Sequence, residues 1–89
     1  MNFNMEDGTM ANEIMKITDF STDFRGIVKR ALKQAKKENR AKIVVHNYDD
    51  QTFIDDAVDW YPGIDLRGVF ATVFPDGTIR HGFVEIENK

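Results

Sequence analysis

The chain contains no cysteine. Disulfides, thiolate-bound metals and cysteine nucleophiles are therefore excluded. A secreted domain this small usually leans on disulfides, so their absence points to an intracellular, cytoplasmic setting. Serine is almost missing: Ser21 is the only one, it has no histidine near it in sequence, and no serine triad is legible. Glycines never cluster into a phosphate loop, Gly63 and Gly68 serving a turn and a strand. Apolar runs such as Ile43–Val45 and Val69–Ala71 fall far short of the roughly 20 residues that cross a bilayer. Residues 1–11 are polar and acidic, without the basic and apolar regions of a signal peptide. Neither a membrane partner nor a cofactor is expected.

What is present is enough for one domain. The 89 residues are 42% apolar and include seven Phe, two Tyr and one Trp. A chain of this length buries about 60–65% of its unfolded surface, so the core is thin and depends on aromatics. The expected organisation is a loose leader over 1–10, with Met10-Ala11-Asn12 as an alternative start, and a single domain over 11–89. No internal repeat occurs.

Charge is unevenly spread. Net charge is −3, yet Arg25 to Lys42 holds eight basic residues and one acid, while the remainder holds four basic residues and fourteen acids. That stretch begins with a clear helix signal. Asp19, Ser21 and Thr22 offer capping oxygens, and Asp23 suits the first turn. Phe24, Ile27, Val28, Ala31, Leu32 and Ala35 then recur at helical spacing, and Lys36, Lys37 and Arg40 gather at the C-terminal end.

Elsewhere the elements are shorter. Glu13–Ile17 reads as a short strand, and Lys42–Asn47 as a buried one because Ile43-Val44-Val45 is β-branched. Asp49 or Asp50 then caps a second helix with Phe53, Ile54, Ala57, Val58 and Tyr61 on its apolar side, stopped by Pro62-Gly63. The last third is a β-hairpin turning at Phe74-Pro75-Asp76-Gly77-Thr78, with Phe74 opposite Thr78 and Arg67 opposite Glu85. One face of this ribbon carries Val69, Ala71, Val73, Ile79, His81 and Phe83. The other carries Leu66, Phe70, Thr72, Phe74, Arg80, Val84 and Ile86. Both are apolar, so both need covering.

The expected fold is α/β (α+β): a two-layer sandwich of two helices on a small mixed sheet of three or four strands, in the order (β)αβαββ. With both helices on one face, the other face of the hairpin lacks a cover. The favoured reading is therefore a non-catalytic interaction protein, a regulator, inhibitor or assembly subunit. It would dock a protein partner or a second copy on Phe70, Phe74, Arg80 and Trp60. Small acidic proteins without a catalytic set, some of them phage-encoded, commonly act this way.

Two alternatives stand beside it. Arg25, Lys29, Lys33, Lys36, Lys37 and Arg40 lie along one side of the first helix and could follow a phosphate backbone; the competing reading is a solvated face. His46, Asp49 and Asp50 at a strand end suggest a metal-dependent hydrolase, though they fall short of a full ligand set and equally serve as a satisfied histidine and helix caps. The run Arg67 to Phe74 opens and closes like an RNA-binding RNP1 strand, but Val69 and Ala71 stand where aromatics belong. Asp76 with Glu87 and Lys89 imitates a nuclease motif, yet an extended strand would hold them about 30 Å apart. No enzyme activity is expected.

Overall fold

A computed structural model of the protein describes residues 13–47, 49–60 and 68–86. The helix forms where its spacing predicts. Helix α1 spans Thr22–Glu38, begins after an extended Ser21 with Asp23 in its first turn, and ends at Asn39, which takes the left-handed conformation at φ 55°. Asparagine tolerates that conformation, and its N–H returns to the Ala35 carbonyl. Val28, Ala31 and Ala35 are fully buried, with Phe24, Ile27 and Leu32 packed around them. The two alanines let the helix lie close on the sheet.

The described residues hold five strands, β1 (Ile14–Met15) before the helix and β2 (Lys42–His46), β3 (Thr52–Asp56), β4 (Val69–Val73) and β5 (Ile79–His81) after it. They form one sheet in the order β1-β5-β4-β2-β3, antiparallel at every pairing. The mixed α and β character is as expected; the second helix, the mixed sheet and the strand number are not. β2 lies inside the sheet and is buried on both sides, Val44 under the helix and Ile43 and Val45 on the back. That is why its apolar run is continuous.

The expected second helix is instead β3 and a 3-10 turn over Ala57–Asp59. Asn47 decides this. Its side-chain oxygen accepts the N–H groups of Asp49 and Gln51, both at 3.0 Å, and its own N–H donates to the Gln51 carbonyl at 2.9 Å. Asp50 takes φ 66°, and the chain reverses into a hairpin rather than starting a helix. Val44 then faces Ile54 and Val45 faces Phe53. Tyr61, Pro62 and Gly63 lie outside the described residues, as do the leader, Leu66, Arg67 and the tail from Glu87.

The C-terminal hairpin has the expected turn and, where its strands pair, the expected register, while the expected Arg67–Glu85 pair falls outside the described residues. Phe74 N–H donates to Thr78 at 2.9 Å, Gly77 sits at φ 95°, and Val73, Thr72 and Ala71 face Ile79, Arg80 and His81. Its two faces, however, are not those that strict alternation gives. Val69 pairs with Val45 and Ala71 with Val44, so Phe70 is the extra residue of a β-bulge. It turns to the helix side, where its ring meets Phe24 at 4.9 Å and Phe20 at 6.1 Å between centroids.

The back of the sheet is covered by the chain itself. β5 stops at His81, Gly82 takes φ 72°, and the segment after it crosses behind the sheet. Thr72 anchors that crossing: its buried hydroxyl donates to the Gly82 carbonyl at 2.7 Å and accepts the Val84 N–H at 3.0 Å. Phe83, Ile86, Ala57 and Trp60 then pack on Ile43, Val45 and Val69. One helix and one irregular layer therefore supply the two covers.

Candidate functional site

The four residues expected to form a docking surface are not on one surface. Phe70 lies beneath α1. Trp60 belongs to the back layer and donates its ring N–H to Asp55 Oδ2 at 3.2 Å. Arg80 is half-buried opposite Thr72 and has partners within the chain. Phe74 lines an apolar cleft of about 400 Å³ with Ala41, Val58, Pro75 and Ile86, beside Asn39 and Arg40. The premise of an uncovered ribbon face does not hold.

The histidine site is assembled in part. His46 Nε2 lies 3.1 Å from Asp50 Oδ1, its Nδ1 lies 2.7 Å from Thr52 Oγ1, and the Phe24 ring meets its ring edge-on. Asp49 is exposed and does not join them. Among the described residues no group of three His, Cys, Asp or Glu could hold a metal ion. Both ring nitrogens are engaged in holding the β2–β3 turn.

The basic residues divide into two sets. Arg25 folds back over the start of its helix, its Nε donating to the Phe20 carbonyl at 2.9 Å and an Nη to Thr18 at 3.2 Å. This fastens the 3-10 turn Ile17–Asp19 to α1. Arg40 pairs with Asp56 Oδ2 at 2.9 Å. Lys42, absent from the expected binding set, is the most committed of all. Only 7% of its side chain is exposed, and its ammonium donates to Glu38 Oε1 at 2.6 Å and to Asp56 Oδ1. Burial alone would lower its pKa, but the bonds to Asp56 and Glu38 outweigh that and leave it raised. Asp56 is held below the usual carboxylate value, chiefly by the Lys42 hydrogen bond working against burial, with Arg40 adding to it. These charges tie the end of α1 to β2 and β3.

The second set points away from the protein. Lys29, Lys33, Lys36 and Lys37 are exposed, and Arg30 joins them. Sequence reasoning passed over Arg30, although it lies one turn before Lys33 and two turns before Lys37. At 100° per residue all five fall within about a third of the helix circumference, opposite the stripe of Val28, Ala31 and Ala35. None of the five makes an ion pair with another described residue. No exposed aromatic or aliphatic side chain interrupts this arc. Lys36 and Lys37 also suit the helix C-terminus, where exposed carbonyls favour cations. Lys29, Arg30 and Lys33 have no such local reason.

No protein-family description, curated protein or solved structure matches this chain. Among the described residues, no helix is long and apolar enough to cross a membrane.

Proposed function

We propose that this protein is a non-catalytic binding module that docks the phosphate backbone of a nucleic acid on the outer face of α1. The observation that supports this reading most is the unpaired cationic arc of Lys29, Arg30, Lys33, Lys36 and Lys37. Protein interfaces are depleted in lysine and centred on apolar or aromatic anchors. This arc is mostly lysine and has no such anchor. A phosphate backbone requires neither, because released counterions supply the affinity.

The protein's overall acidity does not oppose this. The five cations leave −8 on the rest of a chain whose net charge is −3. The molecule's shortest principal extent is 28 Å. At physiological ionic strength fields decay over about 8 Å, so acids across the body of the protein are largely screened from a ligand on α1. The acids on the helix itself are Asp23 in its first turn and Glu38 at its end, the latter bonded to Lys42.

The test is a fluorescence-anisotropy titration with mixed-sequence oligonucleotides. Lys29→Glu, Lys33→Glu and Lys37→Glu combined should lower affinity on the order of a hundredfold or more at low salt. The melting temperature should stay nearly unchanged, since exposed charges contribute little to stability. No binding by the wild-type protein at low salt, or equal binding by the triple variant, would remove the proposal. Binding to an acidic polypeptide but not to oligonucleotides would redirect it to a protein partner.

A further inference from the structure

Gly26 has no evident purpose inside the protein. It lies within α1, is exposed, and sits on the same arc as Lys33 and Lys37. Glycine weakens a helix interior relative to alanine, so its presence there calls for a reason. Two other glycines have theirs. A side chain on Gly68 would stand 2.9 Å from the His46 carbonyl, and Gly77 takes φ 95° in the hairpin turn. At Gly26 an added Cβ would meet nothing within 4 Å. The space it leaves opens outward, between the cations at Lys29 and Arg30 one turn further on.

The aromatic residues supply a second observation. Proteins that hold single-stranded nucleic acid stack bases on exposed rings along a basic groove. Here Phe20, Phe24 and Phe70 form a cluster beneath α1. Phe53, 38% exposed, shares the other side of the sheet with Val45, and Trp60 packs there too. Among the described residues no aromatic ring stands along the cationic arc. It has instead a row of cations, Lys29, Lys33 and Lys37, running about 12 Å along the helix, comparable to the width of a duplex groove.

We infer that the ligand is a nucleic-acid duplex, read without regard to sequence, whose backbone passes closest to α1 over Gly26. This rests on the nucleic-acid reading of the same face. The glycine acts as a notch: lacking a side chain, it lets a sugar-phosphate strand come against the helix backbone while Lys29, Arg30 and Lys33 reach its charges. Base edges play no part, since phosphate contacts carry affinity and position but no sequence information.

The experiment compares a mixed-sequence duplex with each of its single strands at two salt concentrations, using the wild-type protein, Gly26→Ala and Gly26→Leu. The wild type should bind the duplex on the order of tenfold more tightly than either strand, with little change when the duplex sequence is altered. Gly26→Ala should raise the melting temperature by a few degrees while weakening duplex binding severalfold. Gly26→Leu should weaken it by about tenfold or more with the salt slope unchanged, because no charge is removed. Opposite signs in stability and affinity separate a docking notch from a merely structural residue. Single strands bound as tightly as duplex, or duplex affinity indifferent to Gly26→Leu, would overturn this inference while leaving the nucleic-acid reading standing. Absence of binding to any oligonucleotide would overturn both.

Discussion

Two groups of cations lie within a few turns of one another and behave oppositely. Arg25, Arg40 and Lys42 turn back onto carbonyls and carboxylates of their own chain. Lys29, Arg30, Lys33, Lys36 and Lys37 meet no anion among the described residues. The same residue types, drawn from one basic stretch, thus divide between holding the fold and remaining available to a ligand. The difference shows that a basic run read from sequence overstates a binding site until the cations engaged within the fold are taken away.

The comparison is broken most severely at Lys42. Lys42→Ala removes the ammonium that joins Glu38 and Asp56 and leaves two carboxylates facing each other, with Arg40 alone to offset them. It should cost about 2–4 kcal/mol by denaturant titration, toward the lower end of what breaking a buried pair costs because both acids retain some exposure. Its oligonucleotide affinity, measured where it is still folded, should match the wild type. A large loss of affinity without loss of stability would erase the division between the two groups.

The pH dependence of stability sharpens the same point. Asp56 binds a proton less readily folded than unfolded, so its contribution is complete above its ordinary value of 3.8 and is lost as pH falls through the lower folded value. Lys42 acts at the other end. Its contribution is complete below 10.5 and is lost as pH rises through the raised folded value. Asp56→Asn should therefore cost about 1–2 kcal/mol at neutral pH and flatten the acid limb of the stability profile. Replacing the outer lysines should leave that limb where it is.

A smaller effect is expected at Arg25. Arg25→Ala removes two bonds to the carbonyls of Phe20 and Thr18 and should cost about 1 kcal/mol, since the group is only partly buried. Hydrogen exchange should speed up over Ile17–Asp19 more than in the sheet. Affinity for nucleic acid should fall by less than for any outer lysine, although Arg25 stands in the same helix.

The elements that sequence made legible are those whose signals are local. The helix over Thr22–Glu38, the β-branched strand at Ile43–Val45 and the Pro-Asp-Gly turn each carry their reason within a few residues. Phe53 and Ile54 do not. Over five residues an apolar pair followed by Asp55 and Asp56 fits a helix surface as well as a strand, and only pairing with Val44 and Val45 decides between them. The bulge at Phe70 was hidden for a similar reason. It comes from a mismatch with a strand far earlier in the chain, and its one-residue slip moved the ring from the expected docking face into the core. At the candidate site, the helical spacing of Lys29, Lys33, Lys36 and Lys37 was readable. That Arg25 would be tied to carbonyls and Arg40 paired with a carboxylate was not, because their partners come from the preceding turn and from β3.

The central claim is most directly tested by the salt dependence of duplex binding by the wild-type protein. If the five outer cations engage phosphates, the logarithm of affinity should fall against the logarithm of salt concentration with a slope of about −4. A fourfold rise in salt would then weaken binding by a few hundredfold. A slope near zero, with tight binding kept at high salt, would show that something other than this helix face holds the ligand and would contradict the account.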